Sequence, residues 1–338
     1  MNGNYMKKAR EFLAFFLAAA LFVSISYFAG GILMPHRVDY GSTWHSYLKE
    51  DKDTIDVLVF GSSIAYCDVV PAVIWKNTGV TAYVMSGPEQ TLPMTYYYVR
   101  EACRTQSPEA IFIEVSGIYF TRYEDYTKVN IGYMPWTANR IEATFDTAEN
   151  GERPGLLFPM YNYHGRVFEI GSGEIESNLN YTADTLAGYT LLTEHKAMSQ
   201  TQYRDYSSSK SDYDRNMQYV GKIAQYCQDK GIRLYLYLAP AKEVPDPERL
   251  KKLKSDLLSL PIAGYVNFND TIGDIGFDDS TDWYDTLHLN VSGAKKFSAY
   301  LADYLTDTLA LKPGGRADTA LWRQRADYAA GLSPDSGS

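Results

Sequence analysis

The chain has 338 residues, enough for one large domain or two ordinary ones. Its 45% hydrophobic and 22% charged content are those of a folded globular protein. A formal charge of -9 leaves no basic excess to neutralise phosphates, which excludes a nucleic-acid-binding surface. The first element is read at the N-terminus. Lys7, Lys8 and Arg10 close a basic leader (1–11), and an uncharged run follows over 12–35. As a helix, those residues span about 36 Å, enough to cross a hydrocarbon core of about 30 Å. The basic flank predicts a cytoplasmic leader and an extracytoplasmic remainder, held as a single-pass protein of the cell membrane. A cleaved signal peptide is the competing reading. It fits less well, because Ala29 has Tyr27 two positions before it, not a small residue.

A polar stem is expected over 36–53, and then one α/β domain over 54–311. Apolar strands are predicted at Asp56–Phe60, Ala82–Met85, Ala110–Val115, Arg233–Leu238 and Tyr265–Phe268. Near-continuous apolar runs in the first, third and fourth argue for strands buried on both faces of a parallel sheet. Helices are predicted at Thr91–Thr105, Ser211–Lys230, Pro247–Leu258 and Val291–Thr306, the last with Asn290 or Ser292 as its cap. Strands alternating with helices imply a doubly wound, three-layer fold of the flavodoxin-like kind. The stretch 119–209 is too long for a plain crossover and reads as an insertion over the carboxyl edge of the sheet. The segment 312–338 reads as a polar C-terminal tail, flexible at its end.

Two motifs carry chemistry. Gly61-Ser62-Ser63 follows the first strand directly, where a glycine lets the chain turn and aim the next residues out of the sheet edge. Taken alone, the tripeptide reads as no more than a turn or a helix cap. Asp285-x-x-His288 precedes the last helix of the domain. A histidine base needs one ring nitrogen toward the nucleophile and the other held by a carboxylate. Asp285 supplies that carboxylate if the loop curls back, with Asp282 as the second choice. Hydroxyl, imidazole and carboxylate are the three groups that acyl transfer requires. Cys67, four residues past Ser63, has no cation beside it to lower its pKa and reads as a buried structural thiol. Cys67, Cys103 and Cys227 show no metal-binding spacing, so neither a metal nor a cofactor is expected. In the insertion, Tyr163, His164 and Arg166 suggest a substrate-side patch, with a packed loop as the equal alternative.

With these motifs in order, the chain resembles an SGNH/GDSL-type hydrolase. The resemblance implies that Ser63, third in Gly61-Ser62-Ser63, is the nucleophile and that Asp285 and His288 complete the relay. It also implies an oxyanion hole from the Ser63 and Gly87 amides, with Gln90 nearby as a further donor. The third strand departs from the family pattern. It ends Glu114-Val115-Ser116-Gly117 without the expected asparagine, leaving Ser116 as the substitute donor. The N-terminal run, Phe60–Cys67, Thr95–Tyr98 and Asp282–Lys296 are similar to a membrane-anchored branch. Its members work beside membrane-bound O-acyltransferases in acetylating envelope polysaccharides or D-alanylating teichoic acids. The resemblance therefore implies a serine esterase or O-acyltransferase acting on a cell-surface glycan or acylated polymer, with an integral-membrane O-acyltransferase as partner. The rival expectation is a non-catalytic protein of the same fold that binds glycan or that partner.

Overall fold

The structure is a computed structural model and describes residues 2–37, 44–204 and 208–334. The chain forms two compact units, residues 1–36 with 149–181 and residues 37–148 with 182–338. The expected insertion is thereby divided: only its middle third joins the N-terminal segment.

The larger unit is built on five parallel strands: β1 (Val57–Phe60), β2 (Ala82–Val84), β3 (Ala110–Glu114), β4 (Arg233–Leu238) and β5 (Gly264–Asn267). Their spatial order is 2-1-3-4-5. Val57 of β1 lies opposite Ala82 on one side and Ala110 on the other, so β1 and β3 are central. Every residue of β1, β2 and β3 is buried, as their unbroken apolar sequences demand. Val57, Val59, Val84, Phe112 and Tyr237 share one cluster with residues of the helices Ser63–Asp68, Pro71–Thr78 and Val291–Asp303. The alternate residues Leu58, Phe60, Ile111, Ile113 and Leu236 are equally buried on the opposite face. The helix Lys210–Lys230 packs there, against β4 and the helix Leu92–Ala102. A minor parallel ribbon pairs Gln202–Tyr203 with Glu243–Val244.

Caps follow ordinary side-chain chemistry. Thr91 accepts from the Met94 N–H, and Asn290 accepts from the Ser292 and Gly293 N–H groups. The expected tail corrects to structure. Thr319–Gly331 is a helix whose Trp322, Arg325, Ala326 and Ala329 are buried at helical spacing. Trp322 stacks on Trp75, and the Arg325 guanidinium forms a fully buried ion pair with Glu50. Residues 335–338, and 38–43 of the expected stem, lie outside the described residues. The rest of the stem beyond them is not a tether. Trp44 and Tyr47 are buried in the larger unit, and the Tyr47 hydroxyl donates to the Ala102 carbonyl.

The smaller unit is a helix from Asn2 to Leu33 with residues 149–181 folded onto its end. The stretch Tyr5–Leu33 is long and apolar enough to cross a membrane.

Candidate active site

β1 ends at Phe60, and Gly61 turns the chain with φ +155, a conformation side-chain-bearing residues rarely adopt. A Cβ at Gly61 would also lie 2.8 Å from the Glu114 Cβ and 2.9 Å from the Ala65 Cβ. Ser62 then sits at the cap position and Ser63 at the first position of the helix Ser63–Asp68. The two serines separate by burial. Ser62 is 3% exposed, whereas Ser63 is partly open.

The second motif comes to the same place from 225 residues away: Ser63 Oγ lies 2.8 Å from His288 Nε2. His288 Nδ1 lies 2.9 Å from both Asp285 carboxylate oxygens. An ionised carboxylate only accepts, so Nδ1 carries the proton and Nε2 accepts from the Ser63 hydroxyl. The loop curls as this needs. The Tyr284 N–H donates to the His288 carbonyl, and Asp285 Oδ1 accepts from the Leu287 and His288 N–H groups. Burial alone would raise the Asp285 carboxyl, but His288 and the two amides hold it below the usual carboxylate range. Asp282 is elsewhere. It is fully buried, paired with Lys296 and accepting the Asp278 N–H.

Asp68 ties the two motifs together. This carboxyl is fully buried on the helix that Ser63 begins, and its Oδ1 accepts the Leu289 N–H at 2.9 Å. Its other oxygen has no hydrogen-bond partner among the described residues, and burial pushes the carboxyl well up. Cys67 is buried and its thiol is likewise pushed up by burial, in keeping with a structural role.

The donors expected around the oxyanion divide. As the first helical residue, Ser63 has no carbonyl four residues back to accept its N–H. Gly87 lies in the turn after β2, against Asn130, whose Oδ1 would be 1.9 Å from a Cβ there. Asn130 Nδ2 donates to the Pro88 carbonyl and fixes that turn. The other two donors correct. Gln90 is buried with its Nε2 donating to Thr95 Oγ1. Ser116 borders the cavity, but its N–H and hydroxyl both donate to the Glu114 carboxylate, the latter at 2.6 Å. Those hydrogen bonds leave Ser116 no donor for a substrate oxygen.

Glu114 is 2% exposed, and burial pushes its carboxyl up to about 7 against the opposing Ser116 hydrogen bonds. The folded protein therefore binds a proton here that the unfolded chain releases near 4.5. Stability from this group is full below pH 4.5 and falls as pH rises toward 7, by about 3 kcal/mol in all. In Glu114→Gln that slope is absent. The variant's stability relative to the native chain should thus improve by about 3 kcal/mol between pH 4 and pH 8. Urea titrations at the two pH values measure this, and an unchanged difference would refute it.

A cavity of about 290 Å³ opens beside Ser63, room for one sugar ring or a short acyl chain. Tyr119, Phe120, Glu89, Glu124, Arg204 and Leu287 contribute to its walls. None of these wall residues was singled out in the sequence, because they come from four separate segments. Tyr163, His164 and Arg166 are not among the lining residues. They belong to the smaller unit, where Arg166 is engaged with Glu174 and the Leu33 carbonyl and His164 Nδ1 faces the Tyr161 carbonyl. Among the described residues no group of three or more His, Cys, Asp or Glu is arranged to hold a metal ion. Compared with known protein families and with curated proteins, the chain matches none of them.

Proposed function

We propose that this chain is a membrane-anchored serine esterase or O-acyltransferase of the SGNH type, acting on a cell-surface glycan outside the cytoplasm. The carrying observation is the unbroken contact from Ser63 Oγ through His288 to Asp285. The site's position supports it, since ligands of open α/β sheets gather at the carboxyl ends of the strands. Aromatic faces at Tyr119 and Phe120, with the charged ends of Glu89, Glu124 and Arg204, suit a polyhydroxylated acceptor. The N-terminal helix, led by cationic residues, would hold the larger unit at the surface where such a glycan lies.

In this mechanism Ser63 Oγ attacks the acyl carbonyl while His288 Nε2 takes its proton. The Ser63 and Gly87 amides meet the developing oxyanion. Collapse expels the alcohol, protonated by His288, and leaves the acyl group on Ser63. Water or a glycan hydroxyl then attacks that ester, giving its proton to His288 and freeing Ser63. Asp285 stays ionised throughout and steadies the imidazolium.

A second reading, a binding partner without turnover, draws on one observation. Ser116 gives both its donors to Glu114, so the third oxyanion donor is missing. The loss of one such donor costs about 10²–10³ in rate, which slows the chemistry without abolishing it. Incubation with an activated acetyl ester followed by peptide mass mapping separates the two. Acetylation of Ser63 is the expected result. An unmodified Ser63 beside intact His288 and Asp285 would favour the binding partner.

A further inference from the structure

Residues 149–181 cap the N-terminal helix in an unusual way. The helix Pro159–Tyr163 crosses it at Gly30, where a Cβ would lie 2.6 Å from the Met160 backbone nitrogen. Arg166 Nη1 donates to the Leu33 carbonyl at 2.6 Å, and Asn178 Nδ2 donates to the Ile32 and Met34 carbonyls at 2.8 Å. Arg166 also pairs with Glu174, which accepts the His36 N–H. The last carbonyls of a helix have no intrahelical partner and ordinarily go to water. Here protein side chains take them.

The same segment is unusually apolar outside. Among the described residues beyond the N-terminal helix, twelve large apolar side chains are exposed, and five lie in residues 149–181. They are Phe158, Tyr161, Val167, Phe168 and Leu179, and Phe168 is 93% exposed. Five carboxylates against two arginines in the segment rule out attraction to anionic headgroups as the reason.

Length fixes the level. Twenty residues from Phe12 onward cover about 30 Å, the full hydrocarbon thickness, and end at Gly31. The polar cap begins at Ile32. We infer that residues 149–181 form a collar seated in the lipid headgroup layer where the helix leaves the bilayer, with Phe168 and its apolar neighbours inserted at the headgroup end of the acyl chains. Aromatic side chains at that depth and an apolar surface dipping about 5–10 Å are the known physics of interfacial segments. The collar follows from the anchoring read from the N-terminal helix and rests on it.

Depth-dependent quenching in phosphatidylcholine nanodiscs tests the collar on the full chain. Single labels go on Phe168→Cys and, as a reporter of the anchor, on Phe22→Cys. The unsubstituted chain corrects for labelling of native thiols. Expected is at least twofold stronger quenching of the Phe168→Cys label by nitroxide near the headgroup than by aqueous iodide, with the Phe22→Cys label quenched best by nitroxide deep in the acyl chain. A Phe22→Cys label quenched in the bilayer beside a Phe168→Cys label open to iodide would overturn the collar alone. A Phe168→Cys label shielded from both quenchers would replace lipid with a covering protein and overturn it as well. A Phe22→Cys label untouched by lipid nitroxides would remove the anchor and the collar together.

Discussion

Ser63→Ala is expected to abolish turnover of a small acetyl ester, by about 10⁶-fold in kcat, while the melting temperature stays within a few degrees. The loss is large because relay members act as a unit, so removal of the attacking oxygen leaves His288 and Asp285 nothing to activate. The fold survives because Ser63 sits at an open helix start and one hydroxyl is all that goes. Ser62→Ala is the matched control. Ser62 is buried and the histidine contact belongs to Ser63, so its loss should spare the rate. Turnover that survives Ser63→Ala but not Ser62→Ala would move the nucleophile by one residue. Turnover absent from the native chain, or indifferent to both changes, would return the protein to a binding role.

Asp285→Asn is the second large effect, about 10³–10⁴-fold in rate with the fold intact. An amide offers His288 Nδ1 either a carbonyl or an NH₂ group, and the second holds the imidazole in the tautomer that cannot accept from Ser63. The contrast is Asp282→Ala, which removes the acceptor of the Asp278 N–H and the partner of Lys296. That change should cost about 1–3 kcal/mol of stability and leave the rate per folded molecule nearly untouched. A rate loss larger in Asp282→Ala than in Asp285→Asn, measured at equal folded fraction, would defeat the assignment.

The strands were legible because a sheet buried on both faces must be written in unbroken apolar runs. Each predicted strand lies within a residue of its observed bounds, and the carboxyl-edge turn after β1 announced itself through Gly61. The Asp285–His288 contact was legible too, since three residues in a tight loop can meet without outside help. What escaped depends on distant partners. Nothing near Glu114 says that a glutamate ending a central strand will be sealed in and consume both donors of Ser116. Asn130 gives no local sign of its place against Gly87. The helix Thr319–Gly331 hid behind its composition: its inner face is one tryptophan, two alanines and an arginine, which hardly reads as an apolar stripe. Arg166 stayed open between a substrate-side patch and a packed loop because a sequence does not show a guanidinium already occupied by Glu174 and a helix-end carbonyl.

The Glu50–Arg325 pair also sets a clock on the molecule's birth. Its two halves are 275 residues apart, and at about 5–20 residues per second the ribosome takes roughly 15 to 55 seconds to travel between them. Throughout that interval Glu50, Trp44 and Tyr47 have been made while the helix that supplies Arg325 is incomplete. Ser63 and His288 are separated almost as widely, at 225 residues. Until the C-terminal segments are made, neither the Glu50–Arg325 pair nor the Ser63–His288 contact can form.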